Sequence, residues 1–151
     1  MTESLERLVD EIHALNSQLI LLVGPPRSGK TQRLRQLGDK LNLKPINLGL
    51  ELARLLSATP NNKRAFSAGE LLRDITSNHK AGGPLLLDNL ELLFELSLQV
   101  NPLDLIKRLA HAQPVVAVWP GDLRGDRLTY ADMSHPEHRD YSREGVVVFE
   151  V

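Results

Sequence analysis

The chain contains no cysteine, which excludes disulfides, thiolate metal sites and cysteine nucleophiles and is compatible with a reducing cytosol. Aromatic residues make up only 4% of it, too few to suggest the stacking platforms on which single-stranded nucleic acid is held. Neither sign of charge dominates, with 18 Lys and Arg against 19 Asp and Glu. Nothing global therefore draws the chain to nucleic acid or to an anionic membrane, although a local patch leaves DNA open as a partner. No apolar run exceeds strand length, so no membrane span is expected. The N-terminal stretch carries Glu3, Glu6, Asp10 and Glu11, which a secretory signal would not tolerate. A cytoplasmic protein is expected. At 151 residues the chain is one domain's worth, and a domain of that size buries about 70% of its unfolded surface, enough for a core of its own.

What is present starts with one motif. Gly24-Pro25-Pro26-Arg27-Ser28-Gly29-Lys30-Thr31 fits the phosphate-loop pattern G-x-x-x-x-G-K-[ST] at every fixed position, directly after the apolar run Leu19-Ile20-Leu21-Leu22-Val23. The chemistry requires a strand that ends in a wide turn, with backbone N–H groups aimed inward at a polyphosphate, and then runs straight into a helix. Gly24 and Gly29 permit the turn. Lys30 is expected to reach the β- and γ-phosphates, and Thr31 to place its hydroxyl on magnesium in the first turn of a helix whose dipole favours the anion. Leu34, Leu37 and Leu41 follow at helical spacing.

The rest of the chain alternates. Leu5, Leu8, Val9, Ile12 and Leu15 describe an N-terminal amphipathic helix over 1–16. Lys44 to Leu48 is a short strand candidate and Glu51 to Leu56 a helix. A capping box of Ser67 and Glu70 opens another helix, reaching about Asn78. Pro84-Leu85-Leu86-Leu87-Asp88 is a buried parallel strand ending in a carboxylate, and Leu90 to Val100 returns to helix. Asn101-Pro102-Leu103-Asp104 supplies a cap, a proline at the first helical position and an acid in the first turn, so a helix to His111 is well specified. Pro114 to Trp119 and Gly145 to Glu150 are further strands. Strands alternating with helices predict a single three-layer α/β domain over 1–151 with a mostly parallel sheet.

Asp88 stands where phosphoryl transfer expects an acid that holds magnesium through water, although Asp88 and Asn89 also suit a helix cap. The position directly after the magnesium-linked acid, often a catalytic glutamate, is Asn89, and Glu91 two residues on could take the role of orienting water. Trp119 falls where related ATPases present a polar side chain to the γ-phosphate, yet a lone tryptophan commonly packs as core. Residues 122–144 show little periodicity and read as a long arginine-bearing loop before the last strand. It carries Arg124, Arg127, Arg139 and Arg143, interleaved with Asp122, Asp126, Asp132, Glu137 and Asp140. Arg124 or Arg127 could act in trans on a neighbouring subunit's nucleotide, or all could be solvated ion pairs worth little. His135 and His138 lack the spacing of a helical two-histidine metal site.

With the phosphate loop, Asp88-Asn89-Leu90-Glu91, the stretch Leu128-Thr129-Tyr130-Ala131 and the following His135-Pro136-Glu137 in view, the chain resembles the BrxF family, the small P-loop proteins of BREX bacteriophage-exclusion systems. The resemblance implies an AAA-like P-loop NTPase fold with a five-stranded sheet in the order 5-1-4-3-2. It implies ATP and magnesium as ligands, with Gly24, Gly29, Lys30 and Thr31 as nucleotide contacts and Asp88 as the magnesium-linked acid. It implies a homo-oligomer in bacterial phage defence, with other BREX proteins as candidate partners. Asn89, Trp119 and the missing C-terminal helical lid depart from the pattern and predict weak hydrolysis, with nucleotide state controlling assembly. Two alternatives stand beside this: a small-molecule or nucleotide kinase, and a nucleotide-dependent DNA-binding protein. No [NT]-K-x-D guanine signature is present, which favours ATP over GTP.

Overall fold

The computed structural model describes residues 5–12, 18–25, 27–77, 83–95, 98–130 and 139–151, with the side chain of residue 139 left out. Five parallel strands form the main sheet: β1 (Leu19–Val23), β2 (Ile46–Asn47), β3 (Leu85–Asp88), β4 (Val115–Val118) and β8 (Val147–Glu150). Their lateral order is β2-β3-β4-β1-β8, with Leu19 opposite Val115 on one side of β1 and Ile20 opposite Val147 on the other. Counted along the chain this differs from the expected order 5-1-4-3-2. The strand beside β1 is the eighth, because three strands of a separate sheet intervene after β4.

Strand residues alternate between two cores, as the pleat requires. Leu19, Leu21, Val23, Leu85, Leu87, Val115 and Ala117 face helices α3 (Leu48–Ser57), α4 (Arg64–Ser77) and α5 (Pro102–Ala112). Ile20, Leu22, Leu86, Val116 and Val118 face α1 (Leu5–Glu11) and α2 (Lys30–Leu41). Both faces of the sheet are thus covered, which is why β1, β3 and β4 read as unbroken apolar runs. A bidentate ion pair from Arg33 to Glu6, at 3.0 and 3.2 Å, fastens α1 to α2. Residues 1–4 and 13–16 of the expected N-terminal helix lie outside the described residues.

Several local expectations are corrected. The helix expected from Glu51 starts at Leu48, because the Asn47 side chain caps it by accepting from Leu50 N at 3.0 Å. Ser67 and Glu70 lie inside α4 rather than at its start, a turn at Asn61–Lys63 leading directly into Arg64. The described residues of Leu90 to Val100 form no α-helix: Glu91–Phe94 is a 3-10 turn, and Asn89 (φ 62) and Gln99 (φ 52) are left-handed.

The largest correction concerns 122–144. The stretch expected as a loop holds an antiparallel sheet of β5 (Asp122–Arg124), β6 (Arg127–Tyr130) and β7 (Arg139–Ser142). Gly125 at φ 60 serves the β5–β6 turn. Fully buried Trp119 anchors this sheet to the main core: its Nε1 donates to Thr129 O at 3.0 Å, and its ring meets Phe94 and Tyr141 edge-on at 5.4 and 5.9 Å. Tyr130 stacks on Phe94 at 4.0 Å. No helix among the described residues is long and apolar enough to cross a membrane.

Candidate functional site

The carboxyl ends of the five parallel strands bring Val23, Asn47, Asp88, Trp119 and Val151 to one edge of the sheet, where open α/β sheets place their ligands. The phosphate-loop motif leaves β1 there. Its turn is closed by Ser28 N donating to Pro25 O at 3.1 Å, and it enters α2 through Gly29 at φ 94. Arg27 is left-handed as well, at φ 65. A Cβ on Gly24 would stand 2.6 Å from Ser28 Oγ and 3.1 Å from Val151 O, so only glycine lets the first limb of the loop approach the last strand. Pro26 lies outside the described residues.

Two long-range bonds assemble the site. Thr31 Oγ1 donates to Asp88 Oδ1 at 3.2 Å, across 57 positions of sequence. Lys30 Nζ donates to Trp119 O at 3.0 Å, reaching over the mouth of the loop to the end of β4. Burial pushes the Lys30 ammonium below its ordinary pKa, opposed by the carboxylates of Asp122, Glu91 and Asp88. Asp122 and Glu91 therefore share the electrostatic field of this lysine with Asp88. The place of Asp122 beside the loop, at the start of β5, depends on the fold of the small sheet.

The residues fit a nucleoside triphosphate with magnesium on two observations of their own. Ser28 Oγ is buried within the loop and, among the described residues, has no hydrogen-bond partner, leaving a donor where a phosphate oxygen would arrive. Thr31 and Asp88 together offer a hydroxyl and a carboxylate oxygen, the hard donors that magnesium takes while keeping most of its water. Among the described residues no group of three or more His, Asp or Glu is placed to hold a metal by itself, so phosphate and water would complete the shell.

Other expected participants are placed differently. The Asn89 amide donates to Asn47 Oδ1 at 3.0 Å, its backbone N–H donates to Asp88 Oδ1 at 2.8 Å, and its side chain packs against Gly49. It ties the end of β3 to the cap of α3. Glu91 is exposed on the 3-10 turn. The Trp119 indole, expected at a position often held by a polar side chain, turns into the core, and only its backbone carbonyl faces Lys30. Arg127 donates to Asp140 across β6 and β7. Arg124 lies beside the loop, lining with Gly24, Pro25, Asp122 and Glu150 a cleft of about 280 Å³. His135, His138 and the Arg139 side chain lie outside the described residues.

No family model, curated protein or solved structure matches the chain.

Proposed function

We propose that this protein binds ATP with magnesium in a P-loop NTPase-type site and hydrolyses it slowly. The observation that carries the reading is the Thr31 Oγ1 to Asp88 Oδ1 bond at 3.2 Å, which joins the last residue of the loop motif to the strand-end acid. Thr31 and Asp88 would hold magnesium, which would supply charge neutralisation there; Lys30 would leave the Trp119 carbonyl for phosphate oxygens, and the loop N–H groups and Ser28 would hold the phosphates. Asn89 is committed to Asn47, leaving Glu91 as the carboxylate after Asp88 to order a water. Turnover on the order of 0.001 to 0.01 per second is expected without a partner. Nucleotide state would then act on assembly, in keeping with the resemblance to the BREX proteins of phage defence.

Calorimetric titration with ATP, with and without magnesium, tests the reading. Wild type should bind, Lys30→Ala should lose binding, and Asp88→Asn should lose most of the dependence on magnesium. Equal heats for wild type and Lys30→Ala would refute it.

A second reading, a small-molecule kinase, is favoured by the cleft that Asp122 and Arg124 line beside Gly24 and Pro25, since an acceptor needs a pocket next to the phosphates. Radiolabelled phosphate transfer to a panel of nucleosides and nucleoside monophosphates decides it, and a blank panel removes it.

A further inference from the structure

On α4 the residues Phe66, Glu70, Arg73 and Ser77 recur at intervals of four, three and four, which aligns them along the face opposite the buried Ala68, Leu72 and Ile75. All four are exposed, Phe66 to 87%. A phenyl ring so far out of the core gains nothing for the isolated fold, and aromatic and arginine side chains are the ones enriched where proteins meet. Neither Glu70 nor Arg73 has an ion-pair partner among the described residues, whereas Arg54, Arg108 and Arg127 are each paired. Beside this stripe runs a groove of about 410 Å³ between α4 and α5, floored by Leu72, Leu105 and Leu109 and also lined by Arg73 and Thr76. Gly69 forms part of its wall, and a Cβ added there would meet only Leu105 Cδ2, at 3.8 Å. A second helix can therefore come close at that point.

The geometry points to a twofold dimer in which α4 packs antiparallel on the same helix of a second copy. With the axis midway between Glu70 and Arg73, Glu70 faces the partner's Arg73 and Arg73 faces the partner's Glu70, two ion pairs generated by one symmetry operation. The same register sets Phe66 opposite the partner's Ser77, at the Thr76 end of the groove, where the ring leaves water. Charge complementarity selects the antiparallel arrangement, because a parallel one sets like charges against each other. A 14-residue helix is about 21 Å long, so α4 alone makes a contact smaller than a standard interface, and weak, concentration-dependent association follows. No residue of the groove belongs to the set Lys30, Thr31 and Asp88, so this contact forms without nucleotide and is separate from any assembly that nucleotide state acts on.

Sedimentation velocity of the full chain without nucleotide, from roughly 10 µM to 0.5 mM, tests this. Wild type should shift from monomer to dimer across the range. Phe66→Ser should stay monomeric, and Glu70→Arg and Arg73→Glu should each weaken association by at least about tenfold through like-charge contact. The double variant Glu70→Arg with Arg73→Glu restores both pairs with their signs exchanged, and should dimerise to within about threefold of wild type. The single charge variants are at exposed positions and should keep the wild-type melting temperature. A monomeric wild type at the highest concentration overturns the proposal and leaves the groove to another protein. A double variant as weak as the singles overturns the antiparallel register. Because nucleotide is absent, either failure is separate from the ATP reading, which stands or falls on the Lys30→Ala titration.

Discussion

Glu6 offers the most quantitative perturbation, because its surroundings prescribe both the size of the effect and its pH dependence. The Arg33 guanidinium holds its carboxyl from two nitrogens, at 3.0 and 3.2 Å, with Lys40 Nζ at 3.4 Å, and both Glu6 and Arg33 side chains are 23% exposed. The hydrogen bonds from Arg33 lower the Glu6 pKa from 4.5 to about 2 against the opposing effect of burial. At about 1.4 kcal/mol per pH unit the difference has a ceiling of roughly 3.5 kcal/mol. Water reaching the carboxylate screens the pair, so Glu6→Gln should cost about 1 kcal/mol at pH 7. Since the folded-state value is the depressed one, the stabilisation is fully present above pH 4.5 and is lost as pH falls through about 2. Urea denaturation of wild type and Glu6→Gln should therefore show a gap at pH 7 that narrows between pH 4.5 and 2.5, and that shrinks in about 1 M salt. A gap that is the same at pH 7 and pH 2.5 would refute the reasoning and assign the effect to packing of α1. Nucleotide binding should survive the substitution, because Leu34 and Leu37 hold α2 in the core without help from Arg33.

Trp119→Phe removes the bond to Thr129 O and part of the contact with Phe94 and Tyr141, and should cost about 2–4 kcal/mol in urea denaturation; a change below about 0.5 kcal/mol would show that the small sheet is not anchored there. Gly24→Ala forces a methyl to within 2.6 Å of Ser28 Oγ, so ATP binding should fall at least about tenfold in calorimetry while Gly29→Ala, which meets no atom but must hold φ 94, costs about 1 kcal/mol of stability. Asn89→Glu, which sets a glutamate directly after Asp88, should lower stability by about 1–2 kcal/mol without accelerating phosphate release, because the side chain at this position is packed against Gly49 and bonded to Asn47.

Local chemistry accounts for what could be read along the chain. The buried strands ending at Val23, Asp88 and Val118 were legible because burial on both faces demands uninterrupted apolar residues. Helix α5 was legible from Asn101, which accepts from Asp104 N at 3.0 Å, and from Pro102 at its first position. Asp88 could be singled out in sequence as the strand-end acid that a phosphate-loop motif calls for, whereas its hydrogen bond with Thr31 is seen only in the fold. By contrast, the 3-10 turn after Asn89 is not legible in sequence, because leucines close together satisfy a helical repeat whether or not the backbone continues it.

The sequence by itself determined the phosphate-loop motif after a buried strand, the alternation of strands and helices, and the acid at the end of β3, all of which follow from residue type and spacing within a few positions. Only the tertiary structure decided that β5, β6 and β7 pair into a sheet, that the Trp119 indole locks that sheet to the core while its carbonyl receives Lys30, that Asn89 is bound to Asn47, and that Asp122 enters the field of the lysine. Each of these rests on contacts between distant segments, and strands as short as β5 and β6 have no periodicity of their own. They become strands when pairing and the aromatic cluster bury them.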